Sequence, residues 1–194
     1  LDPAIIDEAL FQLLADEPRL MPHLHLSLQA GDAAVLKRMK RRHGPPEAEE
    51  FCRRARTARP DVVFGADLIA GFPTETEGMF ARTLSCVGGL GLTYLHVFPF
   101  SPRPGTPAAR MPQVPARAVK ERAARLRAAG EAALERYLVS RIGAVTEVLL
   151  EEERSGHCRH YAPVRLDFDA PAGTIVEVRI GGVAGGRLLG SPAP

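Results

Sequence analysis

The residues able to do chemistry in this chain gather in short segments. In His23-Leu24-His25-Leu26-Ser27-Leu28-Gln29 the alternation is strict, so Leu24, Leu26 and Leu28 share one face of a strand and His23, His25, Ser27 and Gln29 share the other. Such a polar row suits a strand that faces a lumen or a site. In a parallel sheet, Ser27 and Gln29 would lie at the C-terminal strand end, where ligands bind. Their hydroxyl and amide can hold a ribose or a carboxylate, or close a hydrogen-bonded lumen network. A second segment, Ile69-Ala70-Gly71-Phe72-Pro73-Thr74-Glu75, reads as strand end, glycine turn and helix start. Gly71 lets the backbone approach a flat ligand and Phe72 offers an apolar wall. The segment lacks a P-loop lysine and the glycines of a dinucleotide fingerprint, so on chemistry alone a tight turn is the plainer reading. His23, His25 and His96 are candidate metal ligands, but no carboxylate or cysteine accompanies them at ligand spacing. Core histidines are the plainer reading, and no metal site is expected. No Ser-His-Asp, Cys-His or paired-carboxylate constellation stands out.

Charge concentrates elsewhere. Lys37, Arg38, Lys40, Arg41, Arg42, Arg53, Arg54, Arg56 and Arg59 face only Glu47, Glu49 and Glu50 in their stretch. The cluster can neutralise phosphates, or it is a solvated face.

The elements that must position these groups follow from the hydrophobic spacing. Asp2 before Pro3 predicts a capped helix with Ile5, Ile6, Ala9, Leu10, Leu13 and Leu14 at helical spacing, ended by Pro18. After the 23–29 strand come a short basic helix over 33–42 and another from Pro45 to about Ala58. Residues 61–72 form a near-continuous apolar run, as in a parallel strand buried on both faces. Thr74 to Glu77 cap a helix ending at Gly88-Gly89, and Tyr94 to Phe98 is the next strand. These are βα units, too few to close a barrel. A proline-rich connector (101–115) leads to a long helix over 116–140. From residue 145 onward, β-prone runs at 145–150, 161–168, 173–180 and 183–189 predict a small barrel of the oligonucleotide/oligosaccharide-binding type with four or five strands. The fold class is therefore α/β with a partial βα barrel over 1–140, followed by a small all-β barrel over 141–194.

Composition narrows the classes. The chain has 194 residues, 45% hydrophobic and 25% charged, which excludes a disordered or collagen-like chain. With 25 Lys+Arg against 23 Asp+Glu, the net charge of +2 names no polyanion partner by itself. Cys52, Cys86 and Cys158 lie far apart and suit neither a disulfide framework nor a metal site, so a reducing cytoplasm is expected. No apolar run reaches the roughly 18–20 residues of a membrane span. Leu1-Asp2-Pro3 opens without a signal-peptide pattern, and the chain reads as a piece of a larger protein.

Four segments together resemble the radical S-adenosylmethionine methylthiotransferases: His23-Leu-His-Leu-Ser-Leu-Gln-Ala-Gly31, Val35-Leu-Lys-Arg-Met-Lys-Arg41, Asp67-Leu-Ile-Ala-Gly-Phe-Pro-Thr-Glu75 and His96-Val-Phe-Pro-Phe-Ser-Pro-Arg-Pro-Gly-Thr-Pro-Ala-Ala109. The wording of the first two is most similar to the branch that methylthiolates N6-threonylcarbamoyladenosine beside the transfer RNA anticodon. The resemblance implies S-adenosylmethionine, two [4Fe–4S] clusters, a reductant, a transfer RNA partner (its anticodon stem-loop), a monomer, and a C-terminal RNA-binding TRAM barrel. In the intact enzyme it implies radical abstraction of hydrogen from adenine C2, followed by delivery of a methylated sulfur. The Cys-x3-Cys-x2-Cys of the catalytic cluster is absent from this chain, so the chain alone is expected to be inactive. Carried onto this sequence, the resemblance makes Ser27 and Gln29 candidates for the ribose or amino-acid end of the cofactor. Gly71, Phe72 and Pro73, with Val97, Phe98 and Pro99, are candidates for its adenine, and Arg38 or Arg41 for its carboxylate. Arg103 and Thr106 are placed for the substrate, with Arg103 meeting a threonylcarbamoyl carboxylate. Arg159, His160, Tyr161 and Arg165 are the RNA candidates, although Tyr161 as a plug of the small barrel's core is the preferred reading. The alternatives are a stand-alone RNA-binding module, or a methylthiotransferase acting on isopentenyladenosine or on a ribosomal-protein aspartate.

Overall fold

The computed structural model describes residues 1–193, in two compact units: residues 1–20 with 24–133, and residues 21–23 with 134 onward. The first is built on three strands, β1 (His23–Gln29), β2 (Val63–Ala70) and β3 (Leu92–Pro99), in the order β1-β2-β3. β2 and β3 are parallel, with Asp67 opposite His96 and Ile69 opposite Phe98. Five helices accompany them: α1 (Glu8–Asp16), α2 (Ala33–Arg38), α3 (Pro45–Ala58), α4 (Glu77–Gly89) and α5 (Ala116–Ser140), the last ending in the second unit.

The strand pleat sorts the residues. Leu24, Leu26, Leu28, Phe64, Ala66, Leu68 and Ala70 are buried with Phe11 and Leu14 of α1, Phe51 and Cys52 of α3, Phe80 and Val87 of α4, and Leu126 of α5. Fully burying a Leu or Phe contributes about 1.5–3 kcal/mol, so this helix-covered face organises the unit. The opposite face carries His25, Ser27, Asp67, Ile69 and His96, which stay half-buried or exposed.

The polar caps match the turns. Asp32 accepts from Val35 N–H at 3.0 Å to start α2, and Thr76 accepts from Met79 N–H at 3.3 Å to start α4. The expected first helix is instead divided. Asp2 caps only a 3-10 turn over Pro3–Ile5, and Asp7 caps α1 separately. A second carboxylate within reach of the Leu10 N–H offers a better start than continuation through Ile6, and Ile5 is left 68% exposed.

In the second unit five strands close a barrel in the order β4-β5-β6-β8-β7: β4 (Val145–Glu152), β5 (Ser155–Cys158), β6 (Pro163–Leu166), β7 (Ile175–Ala184) and β8 (Arg187–Pro192). Its core is Val148, Leu150, Val164, Leu166, Val178, Ile180 and Leu188, with Leu138 from the end of α5. Two expectations need correcting. The runs at 173–180 and 183–189 are divided differently, because Gly185 and Gly186, both at positive φ, make the turn after β7. Tyr161 is 56% exposed at φ 65°, outside any strand, and its ring stacks on His157 at 4.8 Å, so it does not plug the barrel. Ala162 beside it is the buried residue.

Candidate functional site

Strand ends and the polar sheet face come together in the first unit. Three adjacent strands bring His25, Asp67 and His96 together on that face. His25 Nε2 lies 2.9 Å and His96 Nδ1 lies 3.3 Å from the same Asp67 Oδ1, and the two imidazoles are 4.6 Å apart. One step toward the C-terminal edge stand Ser27, half-buried, and Phe98, 51% exposed. The sequence reading missed Asp67, which lies 42 residues from His25. Only strand pairing brings it to the histidines, and the signal was its position in the middle of an apolar run, where a lone carboxylate needs a partner.

The turn after β2 is held by a buried clamp that the sequence reading also overlooked. Glu75 Oε2 accepts from Gly71 N–H at 2.9 Å and from Arg122 Nη1 at 2.9 Å, and Arg122 also donates to the Glu75 carbonyl at 3.0 Å. Burial pushes the Glu75 carboxyl above its ordinary value, although Gly71 and Arg122 both pull it down. Its Oε1, like Thr74 Oγ1, is buried with no hydrogen-bond partner. Gly71, at φ +77°, is required for packing: an added Cβ would sit 2.5 Å from Val119 of α5.

The remaining candidates are placed as follows. Gln29 is buried at φ 68° where β1 ends. Phe72 is buried in a satellite cluster with Ala30, Val35 and Leu36, its ring 5.3 Å from Phe100, so its faces are used for packing. Pro73 is buried beside it. Val97 packs against the helix-side core, across the sheet from Phe98, because successive residues alternate faces; Pro99 is exposed at the strand end. Arg38 is exposed and reaches Met79 Sδ at 3.7 Å, and Arg41 lies 3.9 Å from Asp2. Arg103 is exposed, and Thr106 donates to its carbonyl at 2.8 Å while capping a 3-10 turn over Pro107–Arg110.

In the barrel, Arg159 pairs with Glu147 at 3.5 Å, His160 is buried with its ring 6.4 Å from that of Tyr137, and Arg165 is exposed on β6. The four RNA candidates therefore do not form one exposed cluster: Tyr161 and Arg165 are outside, His160 inside.

In kind, the strand-end residues fit a nucleoside-bearing cofactor. Phe98 offers an exposed aromatic ring, Ser27 a hydroxyl, and the turn holds two buried polar oxygens without partners. The cysteines do not fit an iron–sulfur cluster. Burial pushes the Cys52 thiol up to about 11 and the Cys86 thiol up to about 12, away from the thiolate a cluster needs, and Cys158 is buried in the barrel.

The model of the Radical SAM superfamily matches residues 2–87. The chain is 48% identical, over 97% of its length, to the threonylcarbamoyladenosine tRNA methylthiotransferase MtaB of Rickettsia prowazekii. It is 35% identical over 98% of its length to the tRNA-2-methylthio-N(6)-dimethylallyladenosine synthase of Bartonella bacilliformis, and 37% identical over 92% to that of Erythrobacter litoralis. It spans 45%, 43% and 42% of these relatives respectively, less than half of each. Among solved structures, the radical SAM enzyme coproporphyrinogen III oxidase (HemN) of Escherichia coli shares the fold, with TM-score 0.54 and 24% identity over 67% of this chain and 31% of that one. A superfamily match that takes in β1 and β2, and relatives aligned over 92–98% of this chain, make the chain similar to the radical S-adenosylmethionine methylthiotransferases.

Proposed function

We propose that the chain is the substrate-side part of a transfer RNA methylthiotransferase acting at C2 of N6-threonylcarbamoyladenosine, next to the anticodon. The observation that carries the choice of substrate is the difference in identity: 48% to the threonylcarbamoyladenosine relative against 35–37% to the dimethylallyladenosine ones.

When bound, S-adenosylmethionine supplies the methyl group and the one-electron chemistry. This chain's residues bind and orient. Ser27 offers a hydrogen bond at the end of β1, Phe98 covers an apolar ring, and the Glu75–Arg122 clamp keeps the turn after β2 rigid beneath them. Exposed Arg103 pairs with the substrate's carboxylate. The closed barrel takes the role of the RNA-binding TRAM domain, with exposed Arg165 on β6 to meet phosphate. Cluster ligands come from outside this chain, which alone does not turn over.

A substrate-exchange assay tests the proposal. The protein that contains this chain is reconstituted and offered three substrates: transfer RNA bearing N6-threonylcarbamoyladenosine, transfer RNA bearing dimethylallyladenosine, and a ribosomal protein. Methylthiolation of the first alone is expected. Modification of the second or third in its place overturns the assignment.

A further inference from the structure

Outside the strand-end residues, the densest group of ligating atoms is His25, Asp67 and His96, whose donor atoms all lie within 4.8 Å of one another. Each comes from a different one of three neighbouring strands, so backbone hydrogen bonding, rather than a loop, fixes their spacing. Asp67 and His96 are direct partners in the β2–β3 register and point to the same face. The separations to Asp67 Oδ1, 2.9 Å and 3.3 Å, are close to the edge of about 3.4 Å that bonds of about 2.0–2.1 Å define in a tetrahedral site. Two imidazole nitrogens with one carboxylate oxygen are a donor set for zinc-class divalent cations. The side chains are reachable, being 30%, 26% and 63% exposed for His25, Asp67 and His96.

The geometry points to a divalent metal site at His25, Asp67 and His96 that takes Zn2+ or a cation of similar preference. Three protein ligands leave at least one coordination position open on the polar face of the sheet, for water or for an oxygen donor such as a carboxylate. His23, on the same strand face, is not among the donors.

The test is titration of the chelator-washed full chain with Co2+, then displacement with Zn2+. One equivalent of Co2+ should produce visible ligand-field absorption that Zn2+ abolishes. His96→Ala and Asp67→Asn should each weaken binding at least about 100-fold, the upper end of what even an outer-shell partner is worth. His96 is well exposed, so His96→Ala should keep the parent's circular dichroism and melting temperature, and it decides the question if Asp67→Asn fails to fold. His157→Ala, in the barrel, serves as control and should bind like the parent. Absence of the bands in the parent, their retention in His96→Ala, or their loss in His157→Ala would overturn the site.

Discussion

Asp32 shows how much one side chain does in the loop after β1. Its Oδ1 accepts from Val35 N–H at 3.0 Å, and its Oδ2 takes the Arg82 Nε at 2.6 Å. Burial works against its ionisation, but Arg82 and the Val35 and Ala34 N–H groups outweigh it and hold the carboxyl below its ordinary value. A carboxylate whose pKa is depressed by folding contributes stability above its unfolded pKa, and that contribution is lost as pH falls through the folded value. Asp32→Ala should therefore cost about 1–2 kcal/mol near neutral pH, the usual worth of a lost N-cap. The gap from the parent should narrow below the ordinary carboxylate range. Urea denaturation at neutral and acid pH measures it, and a gap independent of pH would refute the assignment. At this scale the sequence was readable where a group acts locally: Thr76 as a cap, Gly71 in its turn. It was opaque where partners come from distant strands, as for Asp67 with His25 and His96, or Glu75 with Arg122.

Among the elements, periodicity located α3 and α5 closely, because each is a long amphipathic run with clear ends. β5 escaped because Ser155-Gly156-His157-Cys158 is short, with no apolar alternation to mark it. Its reason for being a strand lies in its neighbour: a Cβ at Gly156 would stand 1.9 Å from the Leu149 carbonyl oxygen. Gly156→Ala should thus cost about 3 kcal/mol, the upper end of over-packing. Gly181→Ala, with nothing within 4 Å of the added carbon, should change stability by no more than about 0.5 kcal/mol. Denaturation followed by far-ultraviolet circular dichroism compares the two, and equal effects would contradict the close approach. Tyr161 shows the reverse error. A lone aromatic among β-prone residues reads as core, whereas positive φ outside the strands leaves it on the surface.

For the whole molecule, the fold class and the order of sheet and barrel were legible because helical and strand periods switch cleanly along the chain, and the four motif segments carried the family resemblance. Pocket chemistry was less legible, since period 2 says which residues share a face but not which face the helices cover. That ambiguity put Val97 beside Phe98, when the sheet separates them. In the proposed function, the cofactor and the modified base meet at the polar sheet face and its strand ends. The most direct measurement is mass-spectrometric quantification of 2-methylthio-N6-threonylcarbamoyladenosine in transfer RNA from cells whose copy of this protein carries Phe98→Ala. Protein level and melting temperature should match the parent, because Phe98 is half exposed. At least a roughly tenfold fall in the nucleoside is expected, about 1.4 kcal/mol of lost interaction. An unchanged level would contradict it.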